Sequence, residues 1–276
     1  SQSMGKEEGW QDAADNACMI SSVLPRYYEA ALLVYNSEIL YCEDFGNVGQ
    51  STRNALEKIE MGGYTAPGVA LETAISMFDT DTTNKRVVFI SDGEISMREA
   101  ESTEEALGSY EAAVETAAGR GIRIDMFALP NEDTTNEVSQ GTVVTSGEMY
   151  TAGEFQTLED IAVKYLFDLL QIERVDLGEA RSVGEKITVD LQDTYMENAK
   201  ILLVAGEKIQ DFHVMGQCEE VSNLQGNKVA VAKLTNPIKD QVTIDYVLEN
   251  RAEVHAYLIK EYDLKAEIGQ AYTSES

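Results

Sequence analysis

Positive charge is scarce in this sequence. Lys and Arg number 21 against 49 Asp and Glu, a formal net charge of −28. A surface that acidic repels phosphate backbones and anionic headgroups, so neither nucleic acid nor a membrane surface is an expected partner. It is compatible with high solubility and with cation binding. Long apolar runs are missing as well. No stretch approaches the ~20 consecutive apolar residues that a spanning helix requires, and no charged-then-apolar segment at the start has the pattern of a signal peptide. Cysteine is limited to Cys18, Cys42 and Cys218. They are far apart and outside any CxxC or Cys/His spacing, so neither a zinc site nor a disulfide framework is indicated. Cys18 falls in a helical apolar pattern and Cys42 in a strand-like one, where buried free thiols are expected; one bridge between them stays open. His213 and His255 are the only histidines. They lie in separate strand-like segments, which leaves no Ser-His-Asp set.

What is present is enough for a folded protein of two parts. With 276 residues, 43% of them hydrophobic, the chain has room for two cores. Residues 5–170 alternate helical and strand patterns within a first domain read over 1–170. Ala13, Ala17, Ile20 and Leu24 recur at helical spacing. The unbroken apolar run Ala30 to Tyr35 reads as a strand covered on both faces. Asn36-Ser37-Glu38 reads as a tight turn into Ile39 to Cys42, an antiparallel pair at a sheet edge. Val69, Ala70, Ala74, Ile75 and Phe78 form a second helical face, with Pro67 in its first turn, where proline is tolerated. Val87 to Ile90 is another buried strand. Ser102 to Glu105 resembles a capping box opening a helix that Gly119 and Gly121 end. Ile122 to Leu129 and Met149 to Thr151 are further strands, and Leu158, Ile161, Ala162, Tyr165, Leu166 and Leu169 share one face of a closing helix. Strands separated by such helices predict an α/β fold, a doubly wound, mostly parallel sheet. Ligands of such sheets bind beyond the carboxyl ends of the strands.

From about residue 171 the period changes to two. Ile187, Val189 and Leu191 alternate with polar residues, as do Ile201 and Leu203, Val229 and Val231, Val242 to Tyr246, and Val254 to Leu258. This predicts a small all-β sandwich domain over residues 171–272. The last residues, Thr273 to Ser276, read as a polar linker.

Three loop segments carry chemistry: Ser1-Gln2-Ser3-Met4-Gly5 ahead of the first helix, Gly62-Gly63-Tyr64-Thr65 before the helix at Pro67, and Ser91-Asp92-Gly93-Glu94 after the Val87 strand. All three fall on one side of the predicted sheet. Ser1, Ser3, Thr65 and Asp92 form an all-oxygen set suited to a hard cation such as Mg²⁺ or Mn²⁺. Neutral hydroxyls donate little charge, so a cation they hold stays receptive to an outside carboxylate. Taken singly, the features have plainer readings: a terminal tail for Ser1 and Ser3, a helix cap for Thr65, a strand-to-helix turn for Asp92-Gly93.

In this combination the sequence resembles the von Willebrand factor A domain family over roughly residues 1–170. That family's metal-ion-dependent adhesion site reads Asp-x-Ser-x-Ser, with a distant threonine and a distant aspartate. Ser1 and Ser3 match the serines, followed by a Met-Gly typical of bacterial members; Thr65 matches the threonine and Asp92 the second aspartate. The family's first aspartate would precede Ser1 by two residues, and a strand central to the family's sheet would precede that; neither is in the sequence. The resemblance implies a non-enzymatic adhesion or protein-binding module of a bacterial surface or secreted protein. It would recognise a protein ligand that supplies a carboxylate, with the β-rich half as a spacer. An intracellular assembly module is the alternative within the family. A metal-dependent phosphohydrolase built on Asp92 would want a second aspartate two residues earlier, where Ile90 stands. Gly62 to Gly68 spells no dinucleotide or P-loop fingerprint.

Overall fold

A computed structural model describes residues 7–60, 62–129, 136–151, 157–169, 171–172, 174–191, 196–216, 218–237 and 241–262. The first helix, α1 (Glu7–Val23), carries Ala13, Ala14, Cys18, Met19 and Val23 on its buried side. Strands β1 (Leu32–Tyr35) and β2 (Ile39–Glu43) pair antiparallel through the predicted turn. A short helix that the apolar pattern did not announce, α2 (Gln50–Leu56), follows. Helix α3 (Pro67–Met77) has proline at its first position, as expected. Next come β3 (Arg86–Ser91), α4 (Ala100–Gly119) and β4 (Arg123–Ala128). The predicted capping box at Ser102 does not form: α4 starts earlier, with Glu99 as its N-cap and no side-chain cap. Thr103 Oγ1 instead accepts from the Met97 amide. Gly121, just past the helix, holds φ at +65°. A 3₁₀ turn (Glu137–Ser139), α5 (Gln140–Val144), β5 (Met149–Thr151) and α6 (Leu158–Lys164) complete the first half. A genuine capping box between Thr157 and Asp160 opens α6; its final turn, from Tyr165 to Leu169, widens to a π-helix.

Strands β3, β4 and β5 form a parallel sheet in that order. Alternation along β4 places Phe127 in the cluster with α1 and α6, and Ile124, Met126 and Ala128 in the cluster with α3 and α4. Both faces are therefore covered by helices, the arrangement that a parallel sheet requires. The sheet is not continuous, however. Among the described residues β1 pairs only with β2, and β3 only with β4. A cavity of ≈ 460 Å³ separates β1 from β3, walled by Leu32 and Leu33 on one side and Val87, Val88 and Ile90 on the other. This corrects the expectation of a fully buried Val87 to Ile90 strand: only Phe89 is buried there, while Val87, Val88 and Ile90 are half-buried against the two apolar clusters and also line the cavity.

The second half is an antiparallel β domain of β6 (Val175–Asp190), β7 (Met196–Ala205), β8 (Ile209–Met215), β9 (Glu220–Gln225), β10 (Val229–Thr235) and β11 (Gln241–Tyr262). Two of the predicted apolar runs are halves of one long strand, β11. Its first half pairs with β8 and its second half with β7, while β6 accompanies both. Residues from β8 and β11, such as Phe212 and Ile244, thereby share a core with Ile201, Leu203, Ala230 and Ala232 of β7 and β10.

The alternate residues of β7 and β10 face the other way. Leu202, Val204, Val229 and Val231 join Cys18, Met19 and Val23 of α1 and Ile161, Ala162 and Leu166 from the α6 region in one apolar cluster. Polar contacts edge this shared core. Arg53 Nε of α2 donates to Asp15 Oδ1 at 2.7 Å, both side chains nearly inaccessible, and the Asn227 amide in the β9–β10 turn donates to Asp15 Oδ2. Lys228 reaches Asp12 at 2.9 Å. Lys200 of β7 donates to the carbonyls of Val23 and Leu24 and pairs with Glu261 at 2.7 Å. It thus supplies the cation at the α1 C-terminus that α1's own last turn lacks.

Candidate metal-binding site

Strand β3 ends at Ser91, and Asp92 follows it at the carboxyl edge of the sheet. Gly93 then turns the chain with φ at +81°, a conformation that side-chain-bearing residues rarely adopt. A Cβ at Gly93 would collide with the Asn136 side chain, so this turn needs glycine on two counts. The Gly93 amide donates to Ser91 Oγ at 3.1 Å, and the Glu94 amide points at Asp92 Oδ1 from 3.4 Å. Asp92 is 3% exposed.

Thr65 arrives from the other side of the cavity. The β1–β2 turn holds its loop in place: Asn36 Nδ2 donates to the Gly62 carbonyl at 3.1 Å, and the Ala66 amide donates to the Asn36 carbonyl at 2.9 Å. Thr65 itself forms an isolated antiparallel bridge with Ser96, its amide donating to the Ser96 carbonyl at 2.7 Å and its carbonyl accepting from the Ser96 amide at 3.1 Å. Two loops about 30 residues apart in sequence are thereby joined through their backbones.

Thr65 and Asp92 line one cavity of ≈ 100 Å³, together with Tyr35, Ser91 and, from α1, Trp10, Ala13 and Ala14. Thr65 is 4% exposed, and its Oγ1 has no hydrogen-bond partner among the described residues. It is therefore not a helix cap; Ala66 is the N-cap of α3. Trp10 Nε1, on the same cavity, likewise has no hydrogen-bond partner among the described residues. Leaving a buried hydroxyl unsatisfied costs about 1–3 kcal/mol, so a polar occupant beside Thr65 is favoured over an apolar one. Burial pushes the Tyr35 phenol far above its ordinary range despite a hydrogen bond to Ser91, and the charge of Asp92 adds to that rise. Tyr35 is a neutral wall at any physiological pH.

Of the four residues expected at the site, the structure brings Thr65 and Asp92 to a common cavity; Ser1 and Ser3 lie outside the described residues. Among the described residues, no group of three or more His, Cys, Asp or Glu is placed to hold a metal. A donor set of hydroxyls with one carboxylate would not form such a group, and the orphaned Thr65 hydroxyl beside Asp92 fits a small hard cation that retains waters. Sequence reasoning missed the residues that hold the loops: Asn36, Ser96, Asn136 and Glu137. Asn36 and Asn136 show only their local turn and cap roles in the sequence, and the contacts of Asn36, Ser96 and Glu137 with the site loops span 26 or more residues of chain.

No protein-family model matches the sequence, and no curated protein matches it. Among solved structures the chain is similar to a von Willebrand factor type A protein from Catenulispora acidiphila, at 15% identity and a TM-score of 0.47, over 98% of this chain and 56% of that one. It is also similar to the human COPII-coat protein Sec24c, at 11% identity and a TM-score of 0.38, over 95% and 42%. The chain thus spans about half the length of each.

Proposed function

We propose that this chain is a non-enzymatic protein-recognition module whose binding site is a Mg²⁺ or Mn²⁺ ion held at the loop edge of the α/β half. Thr65 Oγ1 and, directly or through water, the Asp92 carboxylate serve as ligands, together with the hydroxyls of Ser1 and Ser3. The bound ion supplies an electron-poor centre that accepts a carboxylate from a protein partner. The observation that carries this reading is the buried Thr65 hydroxyl, without a partner among the described residues, on a residue that lines the same cavity as Asp92. The motif resemblance over Ser1, Ser3, Thr65 and Asp92 supports it, and so does the strongly acidic composition, which attracts cations. A bacterial surface or secreted protein is the setting this reading favours. In this reading Asp92 brings charge and Thr65 brings geometry, while Gly93 and the Thr65–Ser96 bridge fix the distance between them.

Calorimetric titration of the full chain with Mn²⁺ tests this reading. The wild type is expected to bind one ion, and Asp92→Ala and Thr65→Val to lose at least tenfold in affinity. Equal affinity in all three proteins would remove the site.

A further inference from the structure

The loop from Asp92 to Ser96 is suspended between two anchors. One is Thr65, bridged to Ser96 through both backbone hydrogen bonds. The other is Glu137, at the start of the 3₁₀ turn between β4 and α5. The Glu137 carboxylate accepts from the Ile95 amide through Oε2 at 2.9 Å. The Glu137 and Val138 amides both donate to the Gly93 carbonyl, at 3.0 and 3.3 Å. The turn is itself held rigidly: Asn136 Oδ1 accepts from the Ser139 amide at 3.0 Å, and the buried Tyr110 hydroxyl donates to the Val138 carbonyl at 2.6 Å. Ile95 buries its side chain at 3% exposure in the core beneath.

Glu137 therefore grips the loop at Gly93, one residue after Asp92, and at Ile95, one residue before the bridge to Thr65. We infer that Glu137 is a positioning residue for the cation site: its carboxylate fixes the Asp92–Ser96 loop and so sets the separation between the Thr65 hydroxyl and the Asp92 carboxylate. This inference rests on the cation-site reading given above, but its geometry is independent of it. Residues that orient metal ligands without touching the metal typically change affinity by about 10–100-fold when removed. The role requires an acceptor at Oε2, not a charge. That distinguishes positioning from direct ligation or long-range attraction, either of which needs the carboxylate.

Two substitutions in the full chain test the assignment. Glu137→Ala removes the acceptor, whereas Glu137→Gln keeps an amide oxygen for the Ile95 amide and removes the charge. Amide hydrogen exchange and Mn²⁺ titration are read for both, with thermal melting confirming that each is folded. Glu137→Ala is expected to accelerate exchange at Ile95, Ser96 and Thr65 together and to weaken Mn²⁺ binding about tenfold or more. Glu137→Gln is expected to stay within about threefold of wild type in both readouts. If the Gln variant loses as much metal affinity as the Ala variant, Glu137 acts by its charge and the positioning role is overturned. If folded Glu137→Ala exchanges Ser96 and Thr65 at wild-type rates, the clamp does not exist. A wild type that binds no Mn²⁺ would overturn the cation-site reading and the metal role of Glu137 with it, while the exchange data still decide whether the clamp holds the loop.

Discussion

Thr65 carries the clearest single-residue tension in the structure. Its backbone is fully engaged with Ser96 and its side chain is buried, yet the hydroxyl finds no partner among the described residues. Valine has nearly the same shape and lacks that hydroxyl. In metal-free solution Thr65→Val is therefore expected to stabilise the fold by about 1 kcal/mol, because it removes a buried unsatisfied group without opening a cavity. Urea unfolding in the presence of chelator checks this. A drop in the midpoint would mean that the hydroxyl is satisfied in solution and is not reserved for a ligand. The cysteines behave more simply. All three are free thiols, Cys18 buried and Cys42 exposed, so no disulfide joins them and the expected burial holds for Cys18 alone. Burial, the neighbouring charge of Asp15 adding to it, pushes the Cys18 thiol up to about 12 and makes it a poor nucleophile.

At the scale of elements, α1 is where the two halves meet. Its C-terminal carbonyls are capped by Lys200 from β7, whose ammonium also pairs with Glu261 of β11; both side chains are about one-tenth exposed. Replacing one partner of such a pair leaves the other charge buried. Lys200→Met is accordingly expected to cost about 3–5 kcal/mol, and the double variant Lys200→Met/Glu261→Leu to recover most of that loss. Thermal melting of the two proteins side by side is the measurement; a single variant as stable as the wild type would contradict the capping role. Neither the cap nor the Asp15–Arg53 pair is visible in the local sequence. The periodicity of Ala13, Ala17 and Ile20 announces a helix with one apolar face, but not which element covers that face. Helix α2 escaped notice for a related reason: its seven residues are mostly polar, and it is held by tertiary contacts through Arg53 and Leu56 rather than by an apolar stripe.

At the scale of the whole molecule, the β domain is more than a spacer. Leu202, Val204, Val229 and Val231 point away from its own core and into the cluster around α1 and α6. At ~1.5 kcal/mol or more for each buried aliphatic side chain, these four contribute on the order of 6 kcal/mol of gross hydrophobic burial to the joint core. A fragment ending at residue 172 would expose Cys18, Met19 and Val23 of α1. It is expected to be a poorly folded, aggregating species by circular dichroism and gel filtration. A monomeric fragment melting like the full chain would show that the shared core is dispensable. Among the described residues, the strands of the α/β half divide into two sheets, β1–β2 and β3–β4–β5, which no local sequence pattern announces.

Composition and periodicity by themselves determined the class of fold, an α/β part followed by antiparallel strands. A period of 3.6 interleaved with short apolar runs can only bury its faces as helices on a parallel sheet, and a later period of two can only do so as antiparallel strands. Thr65 and Asp92 were singled out by neither, since each taken alone reads as a cap or a turn; only the ordered combination of motif segments, and the resemblance it carries, marked them. Tertiary structure alone decided that these two share a cavity, that the hydroxyl of one finds no partner among the described residues, and that Asn36, Ser96 and Glu137 hold their loops there. Those relations join residues 26 to 45 positions apart in the chain through a few side-chain and backbone hydrogen bonds, which leave no periodic trace in a sequence.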